Sequence, residues 1–297
     1  LPEPRDGFVF ASTGESYTGL ARRSARNLRQ VMPQAQIDLF TDQPVTDPVF
    51  DRIHPVTPGF FRPKMEALAR SRFERTVYLD SDVIALDDVS DLFALLDRFD
   101  FAGVHMAYRN SGLAVTDPSL PDSFPQINGG VLAVRRSPAT QQLVQDWGAQ
   151  VRDSGASFDQ PALRRLLWDS NLRLAVLPME YNFKCMTFLE VLDSRHPAPR
   201  LMHFSEVNAT EKWRDEGAFT LDELIGARRA DHVRKLQDAR RLPDSDAVAV
   251  APLFRRVYAL AHPQFYLRRY GRGALRRVLR RLFGPGTPPP ARDPEAQ

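Results

Sequence analysis

Two periods alternate along this chain, one of short apolar runs and one of apolar residues at helical spacing. Gly7-Phe8-Val9-Phe10-Ala11 is a compact run closed by Ser12-Thr13-Gly14, and residues 18–31 then place Leu20, Ala21, Leu28 and Val31 on one helical face. The pattern predicts a strand, a polar loop and a helix. Pro33 stops that helix, residues 37–42 alternate as a second strand, and 52–56 read as a third. After Pro58-Gly59, residues 64–69 suit a helix with Pro63 at its first turn. Thr76-Val77-Tyr78-Leu79 is then a buried strand that delivers Asp80-Ser81-Asp82 at its carboxyl end. Further strands are expected at 101–105, 130–134, 174–177 and 201–204, with helices at 138–152 and 160–168.

Strands and helices alternating at this spacing predict an α/β fold, with a mostly parallel central sheet covered by helices on both faces. Ligands of such sheets bind at the carboxyl ends of the strands, where Ser12, Thr13, Asp42, Asp80 and Asp82 fall. The chain is expected to divide into a catalytic body at 1–246, a basic, aromatic-rich helical tail at 247–283 and a Pro-rich disordered end at 284–297.

Composition changes this picture in few places. At 297 residues and 43% hydrophobic content the chain is long enough for a large core, and no apolar stretch has the length of a membrane span. Its start has neither the basic nor the apolar region of a signal peptide. The single cysteine, Cys185, makes no intramolecular disulfide, which fits a reducing compartment; its neighbours Tyr181, Phe183, Met186 and Phe188 mark it as core rather than nucleophile.

Charge is more informative. The net charge of +3 combines 30 basic and 35 acidic residues in the first 246 positions with a stretch, 247–292, that holds ten arginines and no carboxylate. In 273–283, Leu275, Val278, Leu279 and Leu282 follow helical spacing, flanked by Arg276, Arg277, Arg280 and Arg281. Such a helix is expected to lie on an anionic membrane surface at the cytoplasmic face, unless it docks on the body with a solvated basic face. No groove-reading module or aromatic platform accompanies it, so nucleic acid is not an expected partner.

The chemistry concentrates at Asp80-Ser81-Asp82. Two carboxylates one residue apart reach the same hard cation when the pleat breaks between them, and a cation bridging them to a diphosphate neutralises the charge a nucleotide leaving group develops. A bare Asp-x-Asp is weak evidence, and the residues around it carry the rest. The run from Tyr78 through Asp80-Ser81-Asp82-Val83 to Leu92-Phe93 resembles the Asp-x-Asp region of glycosyltransferase family 8 and its GT-A relatives. Phe8-Val9-Phe10-Ala11-Ser12 with Tyr17 is similar to that family's first strand and nucleotide loop. Ile127-Asn128-Gly129-Gly130 resembles its Asn-x-Gly segment, and Phe158-Asp159-Gln160-Pro161 its Asp-Gln motif. Leu177-Pro178 through Tyr181-Asn182 and Met202-His203-Phe204 complete the order across residues 8–213. Ser137-Pro138-Ala139-Thr140 and Asp159-Gln160-Pro161 also resemble glycosyltransferase family 77.

The resemblance implies a Rossmann-like GT-A fold and a metal-dependent, retaining transferase. It would move a hexose, galactose or glucose first, from a UDP-sugar to a glycan or lipid-linked glycan. It implies manganese or magnesium held by Asp80, Asp82 and His203. Donor contacts are implied for Ala11, Ser12, Thr13, Tyr17, Lys64, Asp80, Ser81, Asp82, Asn128, Gly129 and Gly130, with Asp159 and Gln160 catalytic at the sugar end. Lys212 is implied at the diphosphate, although Glu206 replaces the family's usual Gly after the late His and Lys212-Trp213 arrive three residues late.

Each residue also has a plainer reading. His203 closes an apolar strand, where a hydrogen-bonded core histidine is common, and Asp159 heads a helix, where a carboxylate caps as readily as it binds. Asn128-Gly129-Gly130 reads equally as a turn. Lys64 reads as solvated surface, with Arg62 as the alternative cation. Asp87, Asp88 and Asp91 are expected to cap the next helix, and Tyr17, in a polar loop, to stack on a base. Two alternatives stand beside the transferase: a haloacid-dehalogenase-like phosphohydrolase, which also places Asp-x-Asp after an apolar strand, and an inactive nucleotide- or glycan-binding relative.

Overall fold

A computed structural model describes residues 3–57, 62–108, 117–155, 158–241 and 252–253. The first half runs β1 (Asp6–Ser12), α1 (Gly14–Val31), β2 (Ile37–Thr41), β3 (Arg52–Pro55), α2 (Lys64–Arg70), β4 (Arg75–Leu79), β5 (Val83–Ala85), α3 (Asp91–Leu95) and β6 (Phe101–His105). The second half runs β7 (Ile127–Arg135), α4 (Pro138–Ser154), α5 (Gln160–Asp169), β8 (Leu174–Leu177), α6 (Met186–Leu189), β9 (Leu201–His203), α7 (Leu221–Ile225) and α8 (Ala227–Arg241). Short 3-10 turns at Met179–Tyr181, Ser205–Ala209 and Glu211–Arg214 link the later elements. The expected tail helix at 273–283 and the Pro-rich end lie outside the described residues.

Seven strands form one sheet in the order β3-β2-β1-β4-β7-β6-β8, with helices on both faces. Alternation along each strand explains the layering. Phe8 and Phe10 of β1 point into a core shared with Ala21, Ala25 and Leu28 of α1 and with Leu92 and Phe93 of α3. Val9 and Ala11 point the other way, onto Met65 and Leu68 of α2 and the helices α4 and α5. Trp147 of α4 is fully buried in that second core, a side chain whose burial is worth roughly 3 kcal/mol.

The sheet is mixed, and this refines the parallel expectation. β1, β2, β3 and β4 pair in parallel, as do β6 and β8, but β7 runs antiparallel to both β4 and β6. Its first residues therefore meet the carboxyl end of β4, with Val131 opposite Leu79. Two local expectations change as well. α1 begins at Gly14, whose φ of +77° makes the turn out of β1 while its N–H donates to Asp42 at 2.8 Å, so Tyr17 sits on a helix rather than in a loop. None of Asp87, Asp88 and Asp91 caps α3 in the expected way: Ser90 holds the cap position without a side-chain bond. Asp88 instead accepts the Ser90 N–H, Asp91 binds Tyr181 and Arg200, and Asp87 pairs with Arg240.

A third core lies beside α1, where Leu20 and Ile84 meet Met202, Phe204 and Val207 together with Val233 and Leu236 of α8. The segment between β9 and α7 is clamped there. Arg23, buried on α1, donates to the carbonyls of Lys212, Gly217 and Ala218 and pairs with Asp215 and Glu223. Gly19 lets the chain come this close: a Cβ there would lie 2.4 Å from the Trp213 carbonyl oxygen.

Candidate active site

β4 stops at Leu79 because the chain turns. Val83 N–H donates to the Asp80 carbonyl at 3.0 Å, and Asp80 N–H reaches across to the Gly130 carbonyl at 2.8 Å. From α1, the Ser24 hydroxyl donates to the Ser81 carbonyl at 2.7 Å and holds the middle of the turn. β9 pairs antiparallel with β5, with His203 opposite Val83, and so lands beside Asp82. Oxygens of Asp80 and Asp82 and a ring nitrogen of His203 all lie within 4.8 Å of one another.

A cleft of about 330 Å³ opens over this cluster. Ala11, Ser12, Thr13 and Tyr17 form one wall; Arg62, Lys64 and Tyr78 another; Asp80, Ser81, Asp82 and Asn208 the floor and rim. Tyr17 is 45% exposed at the mouth. Ser12 is buried in a hydroxyl chain with Thr18 and Thr41 at 2.9 and 2.8 Å, which leaves it little freedom to reorient.

Lys64 joins the two halves of the site and is buried, not solvated. Its ammonium lies 3.1 Å from Asp159, 3.3 Å from Asp80 and 3.1 Å from the Gly129 carbonyl. Burial pushes its pKa down, but Asp159 and Asp80 outweigh that and leave it above the usual lysine value. Asp159 mirrors this: burial raises its carboxyl, and Lys64 with Arg62 brings it below the ordinary range. Asp159 occupies the cap position of α5 without a side-chain cap bond, and its carboxylate pairs with Lys64 instead. Trp147 donates its indole N–H to the Asp159 carbonyl at 2.7 Å and fixes where α5 begins.

Asp82 remains ionised although it is buried. Burial raises its carboxyl, while the Asn208 amide donating at 2.8 Å and the positive charge of Lys184 act the other way and favour the carboxylate. Tyr78 donates its hydroxyl to Asp80 at 2.7 Å; burial and that carboxylate keep the phenol protonated far above its usual range.

Asn128, Gly129 and Gly130 begin β7 behind the cluster. A Cβ on Gly130 would lie 2.4 Å from the buried His203 ring, which would have to move to admit it, while one on Gly129 would lie 2.9 Å from the Lys64 ammonium. Gln160 follows Asp159, half-buried at the start of α5 and outside the cleft lining. Lys212 is also outside the lining; its carbonyl anchors Arg23 at 2.8 Å.

Sequence reasoning missed Tyr78, Asn208 and Lys184 as parts of the site. Tyr78 had a signal, because a phenol in a fully buried strand needs a partner for its hydroxyl. Asn208 had none, lying 126 residues from the carboxylate it binds.

Residues 74–214 match the family model described as nucleotide-diphospho-sugar transferase. The matched span contains the Asp80 turn, Asn128-Gly129-Gly130, Asp159-Gln160 and His203. Over that span the chain is similar to nucleotide-diphospho-sugar transferases. Among solved structures, GlyE of Streptococcus pneumoniae is similar at 18% identity and TM-score 0.51, over 83% of this chain and 66% of that one. The galactosyltransferase LgtC, solved with donor and acceptor sugar analogues, is similar at 16% identity and TM-score 0.48, over 81% of this chain and 98% of that one. Mouse xyloside xylosyltransferase 1 matches at 13% identity and TM-score 0.43, over 67% and 98%. At such identities the likeness to GlyE bears on the fold. No curated protein matches the chain in sequence.

The residues of the cluster suit a divalent cation. Asp82 and His203 face each other at 3.3 Å, two groups that offer lone pairs toward one point, with Asp80 beside them. A donor set of carboxylate oxygens with one imidazole suits a metal of intermediate hardness. Among the described residues no helix is long and apolar enough to cross a membrane.

Proposed function

We propose that this enzyme transfers a hexose, galactose or glucose, from a UDP-sugar to a glycan or lipid-linked glycan with retention of anomeric configuration, in the manner of families 8 and 77. The observation that carries the proposal is the convergence of Asp80 and Asp82, which line the cleft, with the buried His203, next to the buried Lys64–Asp159 pair. Asp80, Asp82 and His203 would hold manganese or magnesium. When bound, that ion supplies Lewis-acid neutralisation of the diphosphate leaving group.

The chain's own groups divide the donor between them. The backbone of Ala11, Ser12, Thr13 and Ser81 and the exposed Tyr17 ring would take the nucleoside, the ring by stacking. Asn128, Gly129 and Gly130 would shape the sugar pocket, with Lys64 and Asp159 at the sugar hydroxyls. Lys212 is proposed for the diphosphate on resemblance alone.

Asp159 is a poor nucleophile while Lys64 and Arg62 hold its carboxylate, and the Gln160 amide is neutral. A front-face displacement follows. The bond from the anomeric carbon to the diphosphate oxygen breaks, the acceptor hydroxyl oxygen bonds to the same face, and its proton passes to the departing phosphate oxygen. A calorimetric screen of nucleotide sugars in manganese tests the donor, with binding expected for UDP-galactose or UDP-glucose. Binding confined to a guanosine or cytidine donor would refute the assignment.

We also propose peripheral association with an anionic, cytoplasmic membrane face through the arginine-rich stretch 247–283. Each arginine near such a surface contributes on the order of 1 kcal/mol at low salt. In liposome co-sedimentation the full chain is expected on anionic vesicles and a version ending at Ala251 in the supernatant. Equal partitioning of the two would remove this part of the proposal.

A further inference from the structure

The His203 ring is buried, and what touches its two nitrogens decides which one can bind anything. A chain of hydrogen bonds fixes the answer from an unambiguous end. The Gly130 backbone N–H can only donate, and it points at the Asn128 side chain at 3.0 Å. The Asn128 group there must be its carbonyl oxygen, which leaves the Asn128 amide nitrogen toward the Met106 sulfur at 3.3 Å. That same oxygen lies 2.9 Å from the Asn182 side chain, so Asn182 turns its amide nitrogen to Asn128 and its oxygen to His203 Nδ1 at 3.1 Å. An oxygen facing Nδ1 requires a proton on Nδ1.

The other side of the ring agrees. The Lys184 ammonium, which has no lone pair, lies 3.3 Å from Nε2, so Nε2 is the nitrogen without a proton. With Nδ1 protonated, Nε2 and the Asp82 oxygen 3.3 Å away both present lone pairs and cannot bond each other. The Lys184 ammonium is the cation that meets Nε2 in this structure, and a divalent ion held by Nε2 and Asp82 would take its place.

We infer that Asn182, held by Asn128, is a positioning residue that fixes His203 as the Nδ1-protonated tautomer, so that Nε2 faces the metal and the metal ligand is tied to the sugar-side turn at 128–130. This rests on the metal reading of Asp80, Asp82 and His203. Partners of this kind orient a ligating imidazole and set its basicity, and their loss typically costs about 10–100-fold in metal affinity. The network adds a direct link between the ion and the donor sugar pocket: a shift of the ring moves Asn182, then Asn128, then the Gly130 amide.

Two measurements on the full chain test this. In nitrogen-labelled histidine spectra of the metal-free protein at pH 8, the signal lost in His203→Gln is expected to show a protonated Nδ1 and a bare Nε2. The opposite tautomer in the wild type overturns the inference without reference to any metal. In manganese titrations followed by electron paramagnetic resonance with UDP present, Asn182→Ala is expected to bind about 10–100-fold more weakly. Asn182→Asp, whose carboxylate accepts the same Nδ1–H, is expected within a few-fold of wild type. The aspartate variant should nonetheless turn over slowly, because it sets a carboxylate against the Asn128 oxygen. Wild-type affinity in Asn182→Ala defeats the inference alone; no manganese binding by the wild type defeats the metal reading and the inference with it. Should Asn182→Ala not fold, the wild-type tautomer and the aspartate variant carry the decision.

Discussion

Asp82→Asn is expected to lower sugar transfer by roughly 10³-fold or more while the protein melts within a few degrees of wild type. The substitution keeps volume and shape. Its amide oxygen can still accept the Asn208 N–H that Asp82 accepts at 2.8 Å. Its amide nitrogen then turns toward His203 and donates into the space between ring and side chain, where a cation would sit. The diphosphate loses its neutralising partner as the bond to the sugar breaks, a loss of about 4 kcal/mol in the transition state. At about 1.4 kcal/mol per tenfold in rate, that is the expected drop. Turnover of the nucleotide sugar with and without chelator, beside a thermal melt, measures it. An active Asp82→Asn enzyme, or a wild type indifferent to chelator, would show that the charge at this turn does not carry the reaction.

Lys64→Met is expected to cost about 3–5 kcal/mol of stability as well as activity, because it leaves two carboxylates beside a buried position with no cation. Asp159 is almost wholly enclosed and Asp80 is partly so. For a domain of this size the cost corresponds to a fall in melting temperature of roughly 6–20 °C. Adding Asp159→Asn removes the stranded charge, so the double variant should recover a large part of the loss; additive losses would mean that the two side chains do not interact. The pair also predicts a pH window. The Asp159 carboxyl lies below its unfolded value of 3.8, so its contribution is complete above about pH 4 and fades as pH falls through the lower folded value. Lys64 lies above 10.5, so its contribution holds below about pH 10 and is lost as pH rises through the higher folded value.

Much of this molecule follows from local order along the chain. Alternation in Phe8-Val9-Phe10-Ala11 alone determines which side chains enter which core, because successive residues of a strand must face opposite ways. The buried run ending at Leu79 places Asp80 and Asp82 just past a strand end, where the pleat breaks. Strand positions 101–105 and 174–177 were legible to the residue for the same reason. The direction of β7 was not, since a strand has the same periodicity read either way and only its pairing with β4 and β6 sets its sense. That direction is what carries Asn128-Gly129-Gly130 to the Asp80 edge. Lys64 illustrates the same divide. A lysine at the first position of a short helix has every local feature of surface, and only the approach of Asp159, 95 residues away, makes its burial affordable. Asn208 reaches Asp82 because Arg23 and Gly19 clamp a distant segment to α1. The tautomer of His203 is decided by a glycine backbone 73 residues away, through two amides. Periodicity sets which face a residue takes; the partner a charge or a hydrogen bond finds across the fold depends on packing, which no window along the chain contains.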